Sequence, residues 1–186
     1  KLTIQKFYRI NGGSTQLEGV KPDIVMPGKF SYVGIGEREQ YNPLKWDKIA
    51  KADYSPVKSY SNFETVIGNS EKRISNNSEF ILIDSYAKWL KEEQDNTTFS
   101  LNYVKSSKEN KAHESKIKLF KDVFKHNSTN EFVSSITEQQ LIQKDSILGT
   151  KRKAWHKNLK KDIYIDEALN VLSELQLKNN PLIAKK

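Results

Sequence analysis

From Pro56 onward the apolar residues recur with a period of about 3.6, which commits most of this chain to helices packed on one another. Phe63, Val66 and Ile67 share one face and predict a helix over 58–75, weakened by Gly68. Asn77 or Ser78 caps the next, over 78–94, with Ile81, Leu82, Ser85, Tyr86, Trp89 and Leu90 on its apolar side. Ser106 or Ser107 starts a lysine-rich helix reaching about residue 126, striped by Ile117, Phe120, Val123 and Phe124. Over 127–161 the apolar spacing is irregular, and no element is assigned. Asp166 opens a last helix, with Ala168, Leu169, Leu172 and Leu175 inward, until Asn179-Asn180-Pro181 stops it near 178.

The first fifty residues follow another pattern. Residues 2–10 mix β-branched and aromatic side chains and read as a strand. Asn11-Gly12-Gly13-Ser14 is a turn, because Asn and Gly accept the positive φ of tight connections, and 14–17 is the returning strand. Ile24-Val25-Met26 is a third short strand, closed by Pro27 and Gly28. Glycines and Pro43 punctuate a loop over 28–45, and Trp46, Ile49 and Tyr54 look like apolar anchors. A last strand signal lies at 98–104, where Phe99, Leu101 and Tyr103 alternate on one face. The expected class is α+β, mostly helical: an N-terminal β-hairpin with short strands, then a helical domain. The expected divisions are 1–27, a connector over 28–57, the helical domain over 58–178 and a tail over 179–186.

Composition removes several kinds of chemistry. The chain has no cysteine, so disulfides, thiol catalysis and Cys-based zinc sites are excluded. No run approaches the ~18 apolar residues of a membrane span. His113, His126 and His156 have no metal-ligand spacing and read as surface residues, so no metal is expected. Gly12-Gly13 and Gly34-x-Gly36 lack the spacing of a phosphate loop, so no cofactor is expected either. Ser106-Ser107-Lys108 sits where serine caps a helix, and no local nucleophile is assigned.

Net charge is +8, concentrated in one place. Lys151, Arg152, Lys153, Lys157, Lys160 and Lys161 place six cations around Trp155 before the first acid, Asp162. Phosphate contacts from lysines beside an aromatic platform can hold single-stranded nucleic acid. The same run can dock an acidic protein or an anionic membrane, or be a solvated face around a core tryptophan, which is the expectation for Trp155.

Thr3-Ile4-Gln5-Lys6-Phe7-Tyr8-Arg9-Ile10-Asn11-Gly12-Gly13-Ser14-Thr15-Gln16, followed by Gly19-Val20-Lys21-Pro22-Asp23-Ile24, resembles the closing strands of tail-specific (carboxy-terminal-processing) serine peptidases. Leu44-Lys45-Trp46-Asp47-Lys48-Ile49, Phe99-Ser100-Leu101-Asn102-Tyr103 and Tyr164-Ile165-Asp166-Glu167-Ala168-Leu169 resemble later elements of that family, in its order. The resemblance implies a periplasmic bacterial endopeptidase that reads substrate C-termini with a PDZ domain and cuts with a serine nucleophile and a lysine base. It places those parts upstream of Lys1, so no catalytic residue is assigned in this chain. Position 1 then reads as an interior point of a longer protein. On this view residues 1–27 close the peptidase domain. The helical part is non-catalytic, frames the substrate cavity or docks an adaptor, and partners the PDZ and catalytic domains and protein substrates. The alternative is a basic nucleic-acid-binding module.

Overall fold

The computed structural model describes residues 5–55, 60–123 and 125–176. Six α-helices carry it: α1 Phe63–Asn76, α2 Ser78–Asp95, α3 Tyr103–Leu119, α4 Ile136–Lys144, α5 Ser146–Leu159 and α6 Ile163–Glu174.

Side chains that accept orphan backbone N–H groups define most starts. Asn77 accepts from Glu79 and Phe80 at α2, Asn102 from Lys105 at α3, and Ser135 from Glu138 at α4. Asp145 accepts from Ile147 and Leu148 at α5, and Asp162 from Tyr164 at α6. Asn62, at the head of α1, instead donates to the Glu174 carbonyl at 2.6 Å and accepts from the Gln176 N–H at 2.9 Å. That side chain clips the start of α1 to the end of α6.

The core lies where α1, α2 and α6 meet the segment after α3. Ile74, Phe80, Ile83, Val123 and Ile163 form its buried centre, with Leu82, Tyr86, Phe120 and Tyr164 packed around them. Ile24 and Met26 also pack on this centre, and the Tyr164 hydroxyl donates to the Pro27 carbonyl at 2.8 Å. α3 runs back along α2: His113 pairs with Glu93, Lys116 with Glu92, and Trp89 stacks on Phe120 at 5.4 Å. The α1–α6 contact is polar at its centre. Ser70, fully buried, donates to Glu167 at 2.6 Å, and Arg73 reaches Glu167 at 2.8 Å while also pairing with Glu174.

Several sequence expectations change. On α2 Trp89 is buried and Leu82 and Tyr86 pack on the core as expected, but the buried stripe also runs through Phe80, Ile83 and Ala87, and Ile81 is half exposed. α3 begins at Tyr103, capped by Asn102 and ahead of Ser106, and ends in a 3-10 turn, Phe120–Asp122. α6 begins three residues before Asp166 and turns Ile163 and Glu167 inward, leaving Leu169 and Leu172 exposed. Residues 127–161, unassigned above, hold α4 and α5. The expected ends of helices at 58 and 178, the start of the first strand, Phe124 and the tail lie outside the described residues.

The expected N-terminal β-hairpin is not formed. Among the described residues there is no strand, and 5–55 hold two isolated antiparallel bridges, Tyr8 with Ser14 and Gly13 with Lys48. A strand pair needs a covered apolar face, and here Phe7 is 74% and Ile10 58% exposed. The Asn11–Ser14 turn does form. Gly12 has φ +84°, and a Cβ there would lie 2.1 Å from the Ile49 carbonyl oxygen. The chain around Trp46–Ala52 runs against this turn through Ser14 N–H to Asp47 O and Ile49 N–H to Gly12 O. Trp46, Ile49 and Tyr54 are 42%, 51% and 43% exposed, so they do not anchor it. The signal at 98–104 also yields no strand, because nothing described pairs with it.

Candidate docking surface

α4 and α5 form a helical hairpin held by few apolar contacts. A Cβ at the buried Gly149 would lie 3.0 Å from Ile142 Cγ2, so the two helices approach closely there. Arg152 pairs with Glu138 across the seam, and His156 Nε2 lies 3.5 Å from the Ser134 hydroxyl. With Gly149, Arg152 and His156 inward at spacings of three and four, the opposite face of α5 is open, and Lys151, Lys153 and Lys157 are exposed. Lys161 is exposed beyond the helix end and Lys160 half-buried, its carbonyl accepting from Ser128 N–H at 2.7 Å. Among the described residues no carboxylate pairs with these five lysines.

Trp155 is 47% exposed, which overturns its expected place in the core. Arg152, held by Glu138, stacks over the indole at 5.2 Å, and the His156 ring lies 5.5 Å away. Both of these ring neighbours come from its own helix. The seven residues picked out by charge therefore split. Arg152 holds the hairpin together, Trp155 lies at its edge, and the five lysines lie free of acids.

A second cluster had no signature in the sequence. His126, 14% exposed, lies between Glu79 Oε2 at Nδ1 and Asp166 Oδ2 at Nε2, each at 2.9 Å. Asp166 also accepts from Ser128 Oγ at 2.6 Å and Asn130 Nδ2 at 3.0 Å. Burial works against the imidazolium, but hydrogen bonds to Asp166 and Glu79 outweigh it and raise the pKa above 6.5. Burial would push Asp166 up, yet Ser128, His126 and Asn130 together hold it below its ordinary value. A neutral imidazole has one N–H and cannot donate to both carboxylates. With two carboxylates at its two nitrogens the geometry favours the charged ring, and His126 is not a surface histidine. Among the described residues no group of three or more His, Cys, Asp or Glu can hold a metal ion, and no helix is long and apolar enough to cross a membrane.

Residues 30–176, the span of all six helices, match a family model described as the C-terminal domain of tail specific protease. The chain belongs to this family. A tail-specific protease of Haemophilus influenzae is 40% identical over 112 residues, covering 58% of this chain and 16% of that protein. The match thus spans less than a fifth of that relative.

Proposed function

We propose that this domain is a non-catalytic part of an exported, periplasmic serine endopeptidase, and that it frames the substrate cavity or docks an adaptor. The resemblance places the serine nucleophile, the lysine base and the PDZ domain in the remainder of the protein. No metal or cofactor is invoked. The observation that carries the docking role is the set of lysines on and just beyond α5, unpaired with acids among the described residues and backed by a hairpin braced through Arg152. Such a concentration of positive charge attracts an acidic protein or an anionic membrane surface, and its affinity falls steeply with salt.

Two measurements test this. The 186-residue chain, incubated with an unstructured protein and read by mass spectrometry, should produce no fragments; serine-dependent cleavage that tracks with this polypeptide defeats the proposal. In the full-length protease, replacing Lys151, Lys153, Lys157, Lys160 and Lys161 by glutamine should leave melting unchanged and weaken capture by anionic vesicles or an acidic adaptor. Equal capture at low salt defeats the docking role.

The exposure of Trp155 favours a second reading, stacking of single-stranded nucleic acid. Arg152 already covers part of the ring. Tight, salt-sensitive binding of single-stranded DNA, lost in Trp155→Ala without loss of stability, would establish that reading instead.

A further inference from the structure

α4 and α5 hang from the rest of the domain. No residue of either helix is in the apolar centre or among the side chains packed around it. Among the described residues, their hydrogen bonds, ion pairs and ring contacts stay within the pair or reach the flanking segments, 125–135 and 160–162. The pair is therefore held to the body chiefly by the fastening of those two segments.

Both segments are fastened at one place. Asp166, in the first turn of α6, accepts from His126 Nε2 at 2.9 Å, Ser128 Oγ at 2.6 Å and Asn130 Nδ2 at 3.0 Å. The N–H of the buried Ser128 donates to the Lys160 carbonyl at 2.7 Å, which ties the incoming segment to the outgoing one. His126 Nδ1, 2.9 Å from Glu79, adds a tie to the first turn of α2. A cleft beside the ring brings Lys161, Asp162 and Tyr164 near it as well. Of all these groups only the imidazole changes charge near neutral pH.

A charged ring donates to both carboxylates, whereas a neutral ring satisfies one and turns a lone pair on the other. Asp166 keeps Ser128 and Asn130, and the Glu79 side chain is 44% exposed and free to turn to water, so the tie to α2 is the one lost. We propose that His126 is a proton-operated latch, which fixes the α4–α5 hairpin to α2 and α6 when charged and lets it swing when neutral. Burial opposes the charge, but the bonds to Asp166 and Glu79 outweigh it, so the latch is closed below about 6.5 and opens as pH rises through the ring's folded pKa. The latch concerns how the hairpin is held and is independent of what the α5 lysines bind.

The 186-residue chain has no cysteine, so spin labels at Lys72→Cys on α1 and Lys144→Cys on α4, both exposed, report the hairpin alone. Their distance distribution should be narrow below the ring's NMR midpoint and broaden above it. Opening that frees the Ser128 amide also returns the ring to water. Protection of that amide, corrected for intrinsic exchange, should therefore fall by about tenfold for each pH unit by which the midpoint exceeds 6.5. In Glu79→Gln the neutral ring can donate to Asp166 and accept from the new amide, so the distribution should stay narrow on both sides of the midpoint. An unchanged distribution across the midpoint in the otherwise native chain overturns the proposal, and so does broadening that persists in Glu79→Gln.

Discussion

Glu167→Ala should cost this domain about 2–4 kcal/mol, although it removes a charged residue from a hydrophilic chain. Glu167 is 4% exposed and accepts from Ser70 at 2.6 Å and from Arg73 at 2.8 and 3.1 Å. Ser70 is fully buried, so losing its acceptor strands a hydroxyl at about 1–3 kcal/mol. Arg73 is 31% exposed and keeps Glu174, so solvent screens its loss to about 1 kcal/mol. For a domain of this size the melting temperature should fall by about 5–15 °C. Thermal and urea unfolding followed by circular dichroism gives the figure. Glu167→Gln, which leaves Ser70 an acceptor, should cost about half as much. In a double-mutant cycle with Ser70→Ala the two changes should be coupled by about 1 kcal/mol or more. A loss below about 1 kcal/mol for Glu167→Ala, or strict additivity with Ser70→Ala, would refute the reasoning that this network holds α1 to α6.

Three further outcomes are expected. The folded pKa of His126 lies above its unfolded value of about 6.5, so its stabilisation is full below that value and fades as pH rises through the folded pKa. The ring should titrate above 6.5 by NMR, and His126→Gln should flatten the fall in stability as pH rises above about 6.5; a midpoint at or below 6.5 contradicts the double ion pair. Gly12→Ala forces a side chain into positive φ and onto the Ile49 carbonyl, at about 1–3 kcal/mol of local strain, and hydrogen exchange should show the Ile49 amide released while the helices stay protected. Trp155→Ala should destabilise by about 1–2 kcal/mol, short of the ~3–5 of a core tryptophan, and a melting curve decides between them.

The helices visible in the sequence were those whose burial is apolar. Asn77 marks the start of α2 and its apolar content runs to the end, so its bounds were legible almost to the residue, whereas its inward face was read one residue off at Ile81 in place of Phe80. α4 and α5 bury no large apolar side chain, only Gly149, and are joined by Glu138 and Arg152, so hydropathy had nothing to register. α6 was misplaced because its inward face includes a glutamate, which any hydropathy count assigns to solvent. The basic run was plain from composition, but the exposure of Trp155 depends on which face of α5 meets α4. His126 was beyond reach, since its partners lie 47 and 40 residues away and are set by tertiary packing. At the N-terminus the turn was legible from Asn11-Gly12 because glycine alone tolerates that backbone. The hairpin was not, because strand propensity expresses itself only when a sheet receives it.

The polar clasp between α1 and α6 joins residues 94 to 114 positions apart. Ser70 and Arg73 on α1 gain their partners only when α6, far along the chain, returns to them, and Ile163 of the same helix completes the apolar centre. Contacts of such long sequence separation carry a loop-closure cost before they are rewarded, which slows folding relative to local helix pairs. Truncation ahead of α6 would leave Ser70, Arg73 and Ile74 without the side chains that cover them.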